Sequence, residues 1–464
     1  MKKNKETKSV SPYLLVLLSF VGVILFGSVL LTLPFAHQNG QWGNYLDSIF
    51  ISTSATCVTG LCTYDLGIGK ELTLFGQIVT LVMIQIGGLG FITIFAFFVS
   101  IFSRKLKFKD RLFLSQAVNS NTVALVSKYV VRVITIVIII ETLGFLFGLP
   151  IFLNPEYLEA TGLSLPEALW MDLFHSISAF NNAGFDLFGS SSLIRGVGNI
   201  YIDSMPEWAY YYFLSYIMLL IVLGGISFVV IIEIFFNRKK PKQWSAFTKI
   251  VLMTTAILLA FGTLAFFLSD GLSGNITVFQ SFFQSVTTRT AGFACFDQDS
   301  LSVAGKTISA VLMFIGGSPI GTAGGIKTTT IFIIALSFIR FIQGRQIVAF
   351  QRQYTRISII KAMSLVFLAI VIVFISFTII TSLEVGNGQV SSENLFFEVF
   401  SAFGTVGLSA NVTTTLSVGS KIVIIILMFF GRLGPITMFQ VFQQNMDKEE
   451  SKHFKYIEAD VIIG

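Results

Sequence analysis

The sequence predicts an all-α polytopic membrane protein of four internal repeats, with eight transmembrane helices and four re-entrant helices in a pseudo-fourfold arrangement. Three observations predict it. The 464 residues are 54% hydrophobic and only 12% charged, against about 25% charged in an average soluble domain. Eight apolar segments approach or exceed the roughly 20 residues needed to cross a bilayer; they lie near 13–35, 72–102, 129–153, 208–236, 248–269, 303–343, 358–383 and 418–444. Between the members of each consecutive pair lies a shorter apolar stretch, at 44–59, 166–183, 277–291 and 391–406. These are too short to span, so each is expected to enter and leave the membrane by one face.

The first long segment, in "MKKNKETKSVSPYLLVLLSFVGVILFGSVLLTLPF", reads as a transmembrane helix. Its apolar run exceeds the roughly 7–15 residues of a signal-peptide core, and no small-residue cleavage site comes after it. Cys57, Cys62 and Cys295 suggest no disulfide framework, and with His37, His175 and His453 they offer no metal-site spacing. No acid, base or nucleophile set converges at one depth, so neither an enzyme nor a cofactor is expected in this chain. The sequence pI of about 9.1 comes without a DNA-binding motif, so no nucleic-acid partner is expected.

The stretch after each short segment aligns with the others, without gaps, on one glycine. The four read "SATCVTGL", "SAFNNAGF", "VTTRTAGF" and "SAFGTVGL", with pivots Gly60, Gly184, Gly292 and Gly407. A second echo lies in the long segment after each pivot: "IGGLGF", "LGGISF", "IGGSPI" and "FGRLGP". Two motifs in step imply four divergent repeats in one polypeptide. Their bounds are expected at 12–110, 111–240, 241–345 and 346–446, between an N-terminal segment 1–11 and a C-terminal tail 447–464.

Charge sets the orientation. With the N-terminus inside, the inner segments carry 24 of the 31 Lys and Arg, the outer segments 4, and Arg289, Lys327 and Arg432 lie at membrane depth. The positive-inside rule then places both termini in the cytoplasm. Sixteen acidic residues fall outside, Asp172, Asp186 and Asp297 among them, against eight inside. A negative outer vestibule concentrates cations at its mouth.

Non-helical backbone at membrane depth is tolerated only where protein buries it or where it lines a wet cavity. Four such loops suit a common axis, which makes the plan four membrane–pore loop–membrane repeats. Each re-entrant pore helix aims the negative end of its dipole at that axis, and the residues after it turn carbonyl oxygens inward. A ring of carbonyls replaces the hydration shell of a large monovalent cation. A glycine pivot fits, because it adopts positive φ without steric cost. The filter residues this assigns are Val58, Thr59, Gly60, Asn182, Ala183, Gly184, Thr290, Ala291, Gly292, Thr405, Val406 and Gly407.

On "TCVTGL", "NNAGF", "TTRTAGF" and "GTVGLS", the chain resembles the Trk/Ktr/HKT superfamily of potassium transporters, and most closely the short Ktr-type bacterial membrane subunit. The resemblance implies K⁺ uptake across the cytoplasmic membrane, with K⁺ at the filter and Na⁺ as a stimulating ion. It also implies a homodimer resting on a cytosolic RCK-type ring that binds ATP or ADP. The segment 340–356, the basic inner loops and the C-terminal tail are the candidate contacts for that ring. Anionic lipids are the other expected partner of the basic loops. The alternative is a sodium- or proton-coupled cation symporter, which needs intramembrane acids in several helices, and only Glu141 stands out as one.

The third post-loop segment is interrupted by "GGSPIGTAGGIKTTT", 316–330, which cannot form a continuous helix. The resemblance makes it an intramembrane gate below the filter, formed by Gly316, Gly317, Gly321, Gly324, Gly325 and Lys327. Lys327 is expected to anchor this loop, to repel cations at its base, or to snorkel to the inner interface. Arg432 takes the place of the second glycine of the echo. The resemblance implies a place for it near the gate, either as an electrostatic barrier or as a donor holding the loop closed. Arg289 is expected to face away from the axis and tie half-helix carbonyls or an acid. Glu141 is expected to pair with a buried base, Asn181 and Asn182 to brace their loop, and His175 to be an ordinary packed residue.

Overall fold

The computed structural model describes residues 12–90, 123–237, 240–384 and 390–434. The described residues are overwhelmingly helical. In chain order the principal helices are α1 (Pro12–Thr32), α2 (Tyr45–Thr56), α3 (Leu74–Leu89), α4 (Val123–Phe152), α5 (Leu165–Phe180), α6 (Glu207–Gly225) and α7 (Phe228–Asn237). They continue with α8 (Ala246–Phe266), α9 (Val278–Thr287), α10 (Val303–Phe314), α11 (Thr328–Ile342), α12 (Arg356–Glu384), α13 (Ser392–Gly404) and α14 (Val418–Leu433).

Four helices among the described residues have membrane-crossing length and hydropathy: Val130–Phe152, Glu207–Gly225, Ala246–Gly271 and Arg356–Glu384. The predicted continuous span 208–236 is wrong, because α6 stops at Gly225 and α7 restarts at Phe228. In the predicted spans 72–102 and 418–444 a helix end falls at the echo motif. Helix α3 ends against Gly90 (φ 76°) and α14 against Gly434 (φ 80°); the remainders of these two spans, 91–102 and 435–444, lie outside the described residues. The break in the third repeat runs from 315 to 327, so Thr328 to Thr330 belong to α11 rather than to the loop. A helix end therefore falls at the echo motif in every repeat.

The short helices α2, α5, α9 and α13 start at strong caps. Asn44 and Ser391 cap through their side chains, while Ser164–Glu167 and Thr277–Gln280 form capping boxes. In repeats 1, 2 and 4 the short helix packs against both long helices of its own repeat. Each post-loop helix also packs on the short helix of the next repeat: α3 on α5, α6 on α9, α10 on α13, and α14 back on α2. The chain closes on itself.

Polar staples fix the ends where the post-loop helices of repeats 3 and 4 begin. Asp270 accepts from the Ser302 N–H (2.8 Å) and Glu384 from the Ser417 N–H (3.0 Å), each at the N-cap of its repeat's post-loop helix. These acids sit where the helix dipole is positive. Lys306 bridges Asp299 (2.9 Å) and Asn394 (2.8 Å), joining repeats 3 and 4. Lys421 pairs with Asp47 at 2.8 Å, joining repeats 4 and 1.

An all-helical prediction misses one small feature. Val348–Ala349 and Arg352–Gln353 form a two-stranded hairpin, turned by Phe350 (φ 50°) and Gln351 (φ 61°). Two successive positive φ values are what a tight hairpin turn requires.

Candidate functional site: a closed ring of four loops

The four pivot glycines meet. Their φ values are 101° at Gly60, 70° at Gly184, 82° at Gly292 and 94° at Gly407. A Cβ on Gly60 would stand 2.6 Å from the Ala183 carbonyl oxygen, and one on Gly184 2.9 Å from that of Ala291. On Gly292 it would stand 2.3 Å from the Val406 oxygen, and on Gly407 2.1 Å from that of Thr59. Each glycine thus faces the carbonyl just before the next repeat's glycine, and the fourth faces the first. All four line one outward cavity of about 260 Å³, together with Asp65 and Asp186.

A second regularity escapes the sequence. Two residues before each pivot, Val58 (φ 57°), Asn182 (57°), Thr290 (73°) and Thr405 (51°) are also left-handed. None is glycine, and only Asn182 is of a type that favours this region; Val58, Thr290 and Thr405 each carry a strain of roughly 1–2 kcal/mol. Along an extended chain, carbonyls alternate in direction. Reversing φ at every second residue collects them on one side, which suits a ring lined by oxygen. The strain is held by hydroxyls from the preceding half-helices. Ser54 and Ser401 accept from the N–H of Gly60 (3.0 Å) and Gly407 (3.1 Å). Ser178 and Thr287 donate to the carbonyls of Phe185 (2.6 Å) and Phe293 (2.7 Å).

The echo glycines have a related use. In repeats 1, 2 and 4, a Cβ on Gly87, Gly224 or Gly431 would lie 2.1, 1.7 or 2.0 Å from the carbonyl oxygen of Thr56, Phe180 or Phe403. Each acceptor stands four residues before its pivot. The post-loop helix can touch the end of the half-helix only where it has no side chain.

Below the ring, the loop between α10 and α11 is tied to its surroundings. The Ser318 and Thr322 N–H groups donate to Gly225 (3.1 Å) and Gly224 (3.3 Å), and the Phe228 N–H donates to Ile320 (2.9 Å). The free carbonyls and N–H groups at the α6–α7 break are thereby used. Gly316 and Gly317 lie against Gly324 and Ala323 across the loop, and Gly321 lies by the Ile226 and Gly224 carbonyls. Gly325 is left-handed (φ 63°), and a Cβ on Gly324 would stand 1.9 Å from Thr405 Oγ1. Lys327 folds back to donate to Ala323 (2.6 Å) and Gly324 (3.3 Å), so it anchors its own loop. Arg432 donates from one nitrogen to the Thr322 carbonyl and from the other to Gly87 and Gly88 at the end of α3.

Some expectations need correction. Arg289 does face away from the ring, but its partner is the Gly316 carbonyl (3.2 Å), not a half-helix carbonyl or an acid. Among the described residues Glu141 pairs with no base; it accepts from Gln85 (3.1 Å) and Asn181 (2.9 Å). Asp172 does not face the outer vestibule, since it is fully buried in α5. Glu398 counts as an outer acid by sequence and is 1% exposed, within α13 beside Thr413. The composition count cannot see that half-helices carry nominally outer residues into the protein. Asn181 and Asn182 brace their loop as expected. With its amide turned so that the nitrogen meets acceptors, Asn182 donates to the carbonyls of Ala179 (3.1 Å) and Ile221 (3.0 Å). His175 is packed, stacking on Phe188 with ring centres 4.3 Å apart.

Apolar helices of membrane-crossing length around a ring of polar backbone define the class, an integral membrane transport protein. Comparison with known proteins specifies it. The family model described as TrkH, cation transport protein, matches residues 2–454. The Ktr system potassium uptake protein B of Bacillus subtilis is 35% identical over the full length of both chains. The potassium/sodium uptake protein NtpJ of Enterococcus hirae is 33% identical over all of this chain and 99% of its own. The crystal structure of the potassium transporter TrkH from Vibrio parahaemolyticus superposes with a TM-score of 0.66 at 18% identity. That match covers 95% of this chain and 86% of the other, and so shows the fold. The chain belongs to the TrkH family of cation transport proteins, which are transporters and not enzymes.

Proposed function

We propose that this chain is the ion-translocating subunit of a Ktr-like potassium uptake system in a bacterial cytoplasmic membrane. The observation that carries the proposal is the closed ring of Gly60, Gly184, Gly292 and Gly407, each against the next repeat's carbonyl. K⁺ sheds water against the backbone oxygens of residues 58–60, 182–184, 290–292 and 405–407, then passes a gate made by the loop and Arg432. Eight transmembrane helices and four pore helices result if each repeat, bounded as the sequence suggests, contributes two spans and one half-helix. Both termini are cytoplasmic by the charge bias. A homodimer, anionic lipids around the inner loops and a cytosolic nucleotide-binding ring complete the system.

A second reading has one observation in its favour. Glu141, Asp172 and Glu398 are all buried within helices, so the intramembrane acids that a sodium- or proton-coupled symporter needs are available. Radioactive rubidium uptake into proteoliposomes decides between the readings. Uptake driven by membrane potential alone, and blocked by excess K⁺, supports the uniport. Uptake only under an imposed Na⁺ or proton gradient selects the symporter. No uptake under either condition sinks both.

Asp186 gives a pH dependence. Burial pushes its carboxyl up to about 6, against the stabilising 2.9 Å bond from the Phe188 N–H. As pH falls through 6 it becomes neutral, and the mouth loses a negative charge that concentrates cations. Uptake at low external K⁺ is expected to drop between pH 7 and pH 5. In Asp186→Asn that drop disappears, and the rate at pH 7 resembles the wild-type rate at pH 5.

A further inference from the structure

Arg289 lies just past the end of α9, three residues before Gly292, and is only 7% exposed. Its Nη2 donates to the Gly316 carbonyl at 3.2 Å, whereas Nη1 is buried without a hydrogen-bond partner. No ion pair reaches it among the described residues, unlike Lys306, paired with Asp299, and Lys421, paired with Asp47. Arg432 differs: it spreads its charge over three backbone carbonyls. A guanidinium stays charged in a protein, and an uncompensated charge at membrane depth is costly. The C-terminal dipole of α9 offsets part of that charge.

Beside Arg289 lies a cavity of about 20 Å³ between α6, α8 and α9, with Gly317 of the intramembrane loop in its wall. Its walls are mostly apolar. The exceptions are Arg289 and Thr255, whose hydroxyl is also buried and unpartnered. A site for one water needs about 10–15 Å³, so the space suits a single particle of that size or slightly larger. Phosphate and carboxylates are too large. Water wants donors and acceptors in balance, whereas this wall presents a cationic N–H and a freely rotating O–H. Both can donate to the same particle.

We propose that this cavity binds one monatomic anion of halide size, chloride under ordinary conditions, held by Arg289 Nη1 and Thr255 Oγ1. The bound ion neutralises Arg289, whose other nitrogen holds Gly316 at the start of the loop. Halide occupancy and the position of that loop are therefore linked. The site stands apart from the potassium reading and is tested without measuring cation flux.

Thermal unfolding of the purified full-length protein is compared in sodium chloride, sodium bromide and sodium gluconate at equal ionic strength. The midpoint is expected to rise with either halide and to saturate, and to stay flat in gluconate, which cannot enter. Bromide in crystals is expected to give an anomalous peak in the cavity. Thr255→Val keeps the side-chain shape and leaves the Gly316 bond alone; it should weaken the halide response at least tenfold, and Arg289→Gln should abolish it. If Arg289→Gln does not fold, Thr255→Val carries the test. Equal midpoints in chloride and gluconate, an unchanged response in Thr255→Val, or a cavity holding water only would overturn the assignment. Anomalous peaks confined to the surface, meaning an adventitious ion only, would do the same.

Discussion

Gly407→Ser is expected to lower the preference for rubidium over sodium at least tenfold in proteoliposomes. Two costs combine at this position. The backbone is left-handed at φ 94°, and a Cβ would stand 2.1 Å from the Thr59 carbonyl oxygen. Left-handed geometry alone costs a side chain about 1–2 kcal/mol. The contact cannot be relieved by turning a side chain, because the obstacle is backbone of the neighbouring repeat. Either Gly407 moves out of the ring or the Thr59 carbonyl moves away from it. On the proposed filter role, each distorts the oxygen spacing that would distinguish one dehydrated cation from another, and about 1.4 kcal/mol of lost discrimination is a factor of ten. Gly274→Ser provides the control. Gly274 is also left-handed (φ 82°), but a Cβ there meets nothing within 4 Å. It should cost some stability and leave selectivity alone. Unchanged selectivity in Gly407→Ser would remove the ring from the mechanism.

Arg432→Gln is expected to raise the uptake rate severalfold while lowering thermal stability. The side chain joins the Thr322 carbonyl of the loop to Gly87 and Gly88 at the end of α3. It is a strut across the space below the ring. Hydrogen bonds from a charged donor contribute about 1.5–3 kcal/mol each, enough to bias a Gly-rich loop toward one position. Arg432→Lys separates the two roles that the sequence leaves open. An ammonium keeps the charge but lacks the planar fork that reaches both elements at once. If Arg432 holds the loop, the lysine variant passes ions faster than wild type. If it acts only as an electrostatic barrier, the lysine variant matches wild type and only the glutamine variant is fast. A glutamine variant no faster than wild type would argue against both roles.

Much of this site is legible in the chain because its signals are local. Apolar length marks the helices, and Asn44, Ser164, Thr277 and Ser391 mark where the half-helices begin. A glycine repeated in register marks one of the two left-handed positions in each loop. Other features carry no local mark. Val58, Thr290 and Thr405 are left-handed because the residues on either side are held, by Ser54 and Ser401 among others, and not because of their own chemistry. The break after Gly225 is satisfied by a loop almost a hundred residues later in the chain. For that reason the span 208–236 looks continuous in the sequence.

By itself, the sequence determined the four pivot glycines of positive φ and the helix break at 315–327, since helix propensity and backbone freedom belong to short windows of residues. Tertiary structure alone decided which carbonyl faces which glycine, that Arg289 reaches Gly316 and meets no acid among the described residues, and that Asp172 and Glu398 are buried. Those outcomes depend on groups far apart in the chain meeting across an interior that water does not reach, where the identity of the neighbour sets the energy of every polar atom.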